Sequence, residues 1–296
     1  MAFMTDRSSR RLALVLAAAL SSAPALAQSE DPALHLAQPT RARLLLDTTN
    51  PRQIWGAVMK AVGPYDKAQK CWTLATGGRR FCMRPAKLAT ARLSDGAVHL
   101  FAVSGREYEP AQLTGGVVMF LSYATSDINK GFRSDGVDGL YEFGARGAPP
   151  GDSAFKLVEV GPQTFAWEVA DGFTGTGSDV HSTTLIHAAG RFTPRKKVLA
   201  NFISYEGNQS GCGMDTGITC SAREIQYTLK PGSGPLYDLE LKLTTRAGAE
   251  TIFTAGVATP TITFGPVAIP FDAAAGTYKL PVLNMIEWLG RGPAAP

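Results

Sequence analysis

The sequence predicts a mainly β protein of the α+β type, with antiparallel β-sheets arranged as a sandwich or irregular barrel, one N-terminal helix and a short C-terminal helix. Three observations carry that expectation. Thirty-one glycines and nineteen prolines are spread through 296 residues and cut the apolar sequence into many short segments, the punctuation of strands and tight turns rather than of long helices. Gln163 to Ala170 alternates Phe165, Trp167 and Val169 with Ala166, Glu168 and Ala170, the period of two that turns one strand face toward a core. Near the start, one segment joins a capping signal to helical periodicity.

In chain order, residues 1–27 read as a cleaved export signal. Arg7, Arg10 and Arg11 supply the charged start, Leu12 to Leu20 the apolar stretch, and Ala25-Leu26-Ala27 the small residues before a cut at Gln28. An apolar run of roughly ten residues is half the ~20 a helix needs to span a bilayer, and no other segment comes closer. The expected address is therefore periplasmic or extracellular, with a soluble product and no transmembrane segment after cleavage. Removing the signal takes away three arginines and Asp6. That leaves 26 basic against 24 acidic residues and lowers the net charge from +4 to +2. Such a balance, with no run of five or six like charges, argues against nucleic acid as a partner. Arg195-Lys196-Lys197, the densest basic cluster, follows Pro194 and reads as a solvated turn.

The N-terminal helix starts at Asn50-Pro51, where Asn50 can cap free N–H groups and Pro51 suits the first helical position. Ile54, Val58, Ala61 and Val62 make its apolar face, and Gly63-Pro64 ends it. Strand signals follow at Ala97 to Val103, Val117 to Tyr123, Lys156 to Val160, His181 to His187, Val198 to Tyr205, Glu224 to Leu229, Tyr237 to Thr244 and Glu250 to Thr254. The Gly/Pro-rich segment from Ala145 to Asp152 is the natural boundary between a unit at 28–145, a helix with an antiparallel sheet, and an all-β unit at 152–296. The two units are equally able to pack as one domain. Leu283 to Leu289 supplies the short closing helix.

Four cysteines in an exported chain form disulfides by default. A four-residue loop at Ala75-Thr76-Gly77-Gly78 sets Cys71 opposite Cys82, and Cys212 with Cys220 encloses a glycine-rich segment, so local pairing is expected for both. Their spacing matches no C-x-x-C redox pair or common zinc module, and neither a metal nor a cofactor is expected.

Candidate chemistry is sparse. The segment from Asp127 to Asp138 holds Asp127, Asn129, Asp135 and Asp138 among glycines, the composition of a calcium loop or of a polar turn. It fails the EF-hand pattern, because Gly131 stands at an oxygen-ligand position, Phe132 at the glycine position, and no glutamate closes it. Asp179 and His181, and Glu206 with Asp215, are the acid/base pairs that folding could assemble. Ser153 and Lys156 fit S-x-x-K but lack its companion motifs, and Ser210 lacks the first glycine of a nucleophile elbow. The leading expectation is a non-catalytic binding, accessory or envelope-related protein whose partner is another protein or a small molecule. A secreted hydrolase with an acid/base pair assembled in three dimensions and a calcium-dependent ligand or adhesion module are the alternatives.

Overall fold

A computed structural model describes residues 33–34, 43–44, 51–94, 96–110, 114–124, 132–175, 177–208, 212, 220–248 and 261–280. The export signal, the expected strand at Glu250 to Thr254 and the C-terminal helix lie outside them. In chain order the elements are β1 (Ala33–Leu34), β2 (Arg43–Leu44), α1 (Pro51–Val62), β3 (Tyr65–Asp66), β4 (Cys71–Thr76), β5 (Arg79–Leu93), β6 (Gly96–Glu107), β7 (Gly116–Ala124) and β8 (Phe132–Phe143). There follow β9 (Phe155–Gly161), β10 (Thr164–Gly175), β11 (Ser178–Gly190), β12 (Val198–Gly207), β13 (Cys220–Lys230), β14 (Asp238–Gly248), β15 (Thr261–Ile269), β16 (Phe271–Asp272) and β17 (Thr277–Tyr278). The protein is mainly β, and among the described residues every strand pairing is antiparallel.

Two meanders result. The first sheet runs β1-β8-β7-β6-β5-β4-β3, with β2 also on β8, and the second runs β15-β14-β13-β12-β11-β10-β9. Period-two alternation gives the first sheet two apolar faces. On one, Phe81, Met83, Phe101, Val103, Val117 and Leu140 pack against Val58, Met59 and Val62 of α1. On the other, Leu100, Ala102, Val118, Phe120 and Tyr141 meet Phe155, Trp167, Val169 and Ile186 of the second sheet. Phe120 stacks on Trp167 with ring centroids 5.6 Å apart. The opposite face of the second sheet holds its own core, including Leu185, Leu199, Leu239 and Leu241, with Phe271 and Tyr278 of the β16–β17 hairpin. β12 pairs β13 only from Tyr205 to Gly207, so the sheet curls there. Across that curl the Tyr227 hydroxyl donates to the Glu168 carboxylate, linking β13 to β10.

Three expectations need correction. The buried face of α1 contains Met59, whereas Ala61 is exposed; Trp55, Val58, Met59 and Val62 follow the 3, 4, 7 spacing of one helical stripe, and Ala61 points away from it. The β4–β5 turn has two residues, not four. Gly77 and Gly78 both take positive φ, 55° and 76°, which a two-residue hairpin of type I′ requires. Pairing therefore continues to Thr76 against Arg79, and Cys82 faces Thr73. Finally, the stretch from Asp127 to Asp138 is not one loop, because β8 begins at Phe132. Register shifts leave Asp135 unmatched beside Tyr123 and set Asp138-Gly139 against Phe120, so bulges take up polar residues that read as a turn in sequence.

Both disulfides are formed. Cys71 and Cys82 occupy a diagonal rather than a directly opposed pair, with Cα atoms 5.4 Å apart, and Cys212 joins Cys220 across 5.1 Å. No helix among the described residues is long and apolar enough to cross a membrane.

Candidate functional site

β5 and β6 carry their inner face beyond the edge of the second sheet. On β6, Leu100 and Ala102 are covered by that sheet, and the same alternation continues to Ser104 and Arg106. On β5 the register jumps from Pro85 opposite Val103 to Lys87 opposite Ala102, leaving Ala86 as an extra residue. The bulge changes parity, so that Ala89 and Ala91 above it share a face with Cys82 and Arg84 below. In this register Arg84 faces Ser104, and Cys82 faces Arg106. The uncovered end of the sheet thus forms the floor of a cleft of about 550 Å³ lined by Gln69, Arg84, Ser104, Arg106, Tyr108 and Pro149 among others.

Its walls are tied down. The Asp66 carboxylate accepts from the N–H groups of Ala68 and Gln69 at 2.9 and 3.1 Å and from the Tyr108 hydroxyl at 3.0 Å. The Gln69 N–H, then the Tyr108 hydroxyl, hold that carboxyl below the usual range. Tyr108 sits 3.6 Å from the Cys71 sulfur and 3.0 Å from the Thr73 hydroxyl. On the opposite side, Glu107 N–H donates to Gly147 O at 2.9 Å and Gly147 N–H to Thr114 O at 2.6 Å, which lays the Ala145–Pro149 turn across the sheet end. Gly147 is required there: its φ is +69°, and a Cβ would lie 2.2 Å from the Pro110 Cβ.

The charges are unevenly matched. Glu107, which also borders the cleft, is held by Arg79 at 2.8 and 2.9 Å and by Thr114 at 3.0 Å. Arg79 is the main reason its carboxyl titrates low. Arg80 lies over the Tyr108 ring at 4.9 Å. The Arg84 side chain donates to Gln69 O at 3.0 Å, and the Arg106 side chain makes no hydrogen bond or ion pair among the described residues. Both carboxylates are therefore already engaged, whereas the Arg84 and Arg106 guanidinium groups have no carboxylate partner among the described residues, and Arg84 spends one N–H on Gln69 O.

The residues singled out from sequence fall elsewhere. Asp127, Asn129 and Asp215 lie outside the described residues, and for Asp135 and Asp138 only the strand placement is described. Asp179 and His181 share β11. The His181 ring lies against Tyr205, with centroids 5.4 Å apart, and over Gly172, where a Cβ would be 2.5 Å from Nδ1. No hydrogen bond joins it to Asp179, and Glu206 pairs opposite Val180. Ser153 is in a single 3-10 turn and Lys156 in β9. Among the described residues, no three His, Cys, Asp or Glu side chains converge as a metal-ligand set. The cleft residues had one readable signal, Arg80, Cys82 and Arg84 at alternate positions, which puts two cations on one face of a strand. No family model matches this chain, and no curated protein or solved structure does.

Proposed function

We propose that this is an exported, disulfide-stabilised, non-catalytic binding protein of the periplasm or extracellular medium, and that its small-molecule ligand occupies the cleft at the free end of β5 and β6. The cleft carries the reading. Its volume of about 550 Å³ lies within the roughly 300–1,000 Å³ of small-molecule sites. Its walls are fixed by the Cys71–Cys82 bridge and by main-chain bonds to the Ala145–Pro149 turn. Among the lining residues no base stands beside the Ser104 hydroxyl, and Glu107 is committed to Arg79, so the groups serve recognition better than bond cleavage. Export is supported by the charged, apolar and small-residue order of residues 1–27 together with two disulfides, which persist in oxidising compartments.

Two measurements test this. N-terminal sequencing of the protein from the exporting cell should begin at Gln28, with both bridges intact; an uncleaved chain in the cytoplasm would refute export. For binding, amide NMR shifts are followed against neutral sugars, amino acids, carboxylates, nucleosides, and phosphate and sulfate monoesters. Saturable shifts confined to residues around 69, 82–84, 104–108 and 149 are expected for at least one of these. If no compound shifts them, or the shifts cluster elsewhere, the cleft is not the ligand site.

A further inference from the structure

Resting on the cleft as the binding site, we infer that its ligand is an organic monoester bearing a tetrahedral oxyanion, phosphate or sulfate, gripped between Arg84 and Arg106. The geometry argues for this class over a carboxylate. Arg84 faces Ser104 and Arg106 faces Cys82, so the two arginines occupy diagonal positions of one four-residue square, about 7–8 Å apart, with the Ser104 hydroxyl beside both. Arginine side chains from such positions converge easily on one group. A carboxylate has two coplanar oxygens and is satisfied by a single forked guanidinium. A phosphate or sulfate monoester presents three terminal oxygens in different directions, enough for two guanidinium groups and a hydroxyl at once.

Charge points the same way. Arg84 and Arg106 are both exposed and neither has a carboxylate partner among the described residues. Arg80 adds a third cation two residues from Cys82, over the Tyr108 ring. Of the nearby acids, Glu107 is paired with Arg79 and also accepts from Thr114, while Asp66, held by two N–H groups and the Tyr108 hydroxyl, sets its charge against Arg80 and forms no ion pair with Arg84 or Arg106. A free inorganic ion would leave most of the cavity empty. Pro110 and Pro149 supply an apolar wall for the organic part.

Isothermal titration of the full chain at low ionic strength with phenyl phosphate, phenyl sulfate, benzoate and phenol tests the inference. One-site binding is expected for phenyl phosphate or phenyl sulfate, and whichever binds more tightly names the source. Benzoate should bind at least tenfold more weakly, and phenol not measurably. Arg84→Met and Arg106→Met, both on exposed side chains and checked for an unchanged melting curve, should each weaken binding about tenfold or more. Added salt should weaken it further. Equal affinity for benzoate, indifference to both arginine variants, or no binding by either ester would overturn the inference. If the esters fail while a neutral compound still produces cleft-confined NMR shifts, only the oxyanion assignment falls; if nothing binds the cleft, the binding reading itself falls.

Discussion

His187 sits on β11, 4% exposed, on the curled side of the second sheet. Its Nε2 lies 3.0 Å from Phe192 O, so Nε2 carries the proton and donates, and Nδ1 is left buried without a hydrogen-bond partner. Burial, helped by the charge of Lys197, pushes the imidazole down to about 4 from an ordinary 6.5. Because the folded value lies below the unfolded one, the unfolded chain takes up the proton first as pH falls. The stability from a neutral His187 is complete above about pH 6.5 and is lost progressively down to about pH 4, by about 3 kcal/mol in all. His187→Leu removes the titrating group, although it also leaves Phe192 O without its donor. Thermal melts across this window should show a shallower pH slope for the variant than for the wild type, even if its melting temperature near pH 7 is lower. Parallel slopes would mean that carboxylates carry the acid sensitivity instead.

The β4–β5 hairpin shows how one element serves both stability and site. Its disulfide closes a loop of separation 11, for which chain-entropy reasoning gives about 3 kcal/mol of stabilisation. It also fixes the position of Cys82 between Arg80 and Arg84, and Tyr108 packs against it. Replacing Cys71 and Cys82 together by alanine should lower the unfolding free energy by that order, read as a lower urea midpoint, and broaden the amide signals of residues 104–108; an unchanged midpoint would show that β-pairing alone holds the hairpin. The pairing of these cysteines was legible from spacing, but the register was not, since only the φ values of Gly77 and Gly78 decide between two and four turn residues. β10 and β11 were legible because their central apolar residues are buried, Trp167, Val169, Ile186 and Ala188 on one face of the sheet and Ala166 and Leu185 on the other. β8 was hidden because its bulges hold Asp135 and Asp138-Gly139, and β15 because Gly265-Pro266 interrupts it. The cleft was harder still. It is built from Gln69, Arg84, Ser104, Tyr108 and Pro149, and nothing local in sequence says that the second sheet stops short of Ser104.

At the scale of the whole molecule, an aromatic layer lies between the two sheets. Phe120 contributes most to this layer: it stacks on Trp167, meets Phe155 edge-on at 6.3 Å and lies 5.7 Å from Tyr141. It is 1% exposed, as is Trp167. Each sheet also has an apolar cluster on its far side, one under α1 and one inside the curl, so each has a core of its own that could hold it if the other unfolded. The shared layer decides whether it does. If neither sheet can leave its half of that layer exposed to water, denaturant should unfold both together, with tryptophan fluorescence and far-UV circular dichroism tracing one coincident transition. Phe120→Ala opens a cavity against both sheets and should cost about 3–5 kcal/mol. In the cooperative case the single transition moves to lower denaturant as a whole. Were the sheets separately stable, the same variant would split the curve in two, with each sheet retaining its far-side core after the interface had opened. The position of the proposed binding cleft ties the outcome to that proposal, because its floor is the part of the first sheet that this shared layer leaves uncovered, and loosening the layer should widen the cleft before the hairpin that carries Arg84 unfolds.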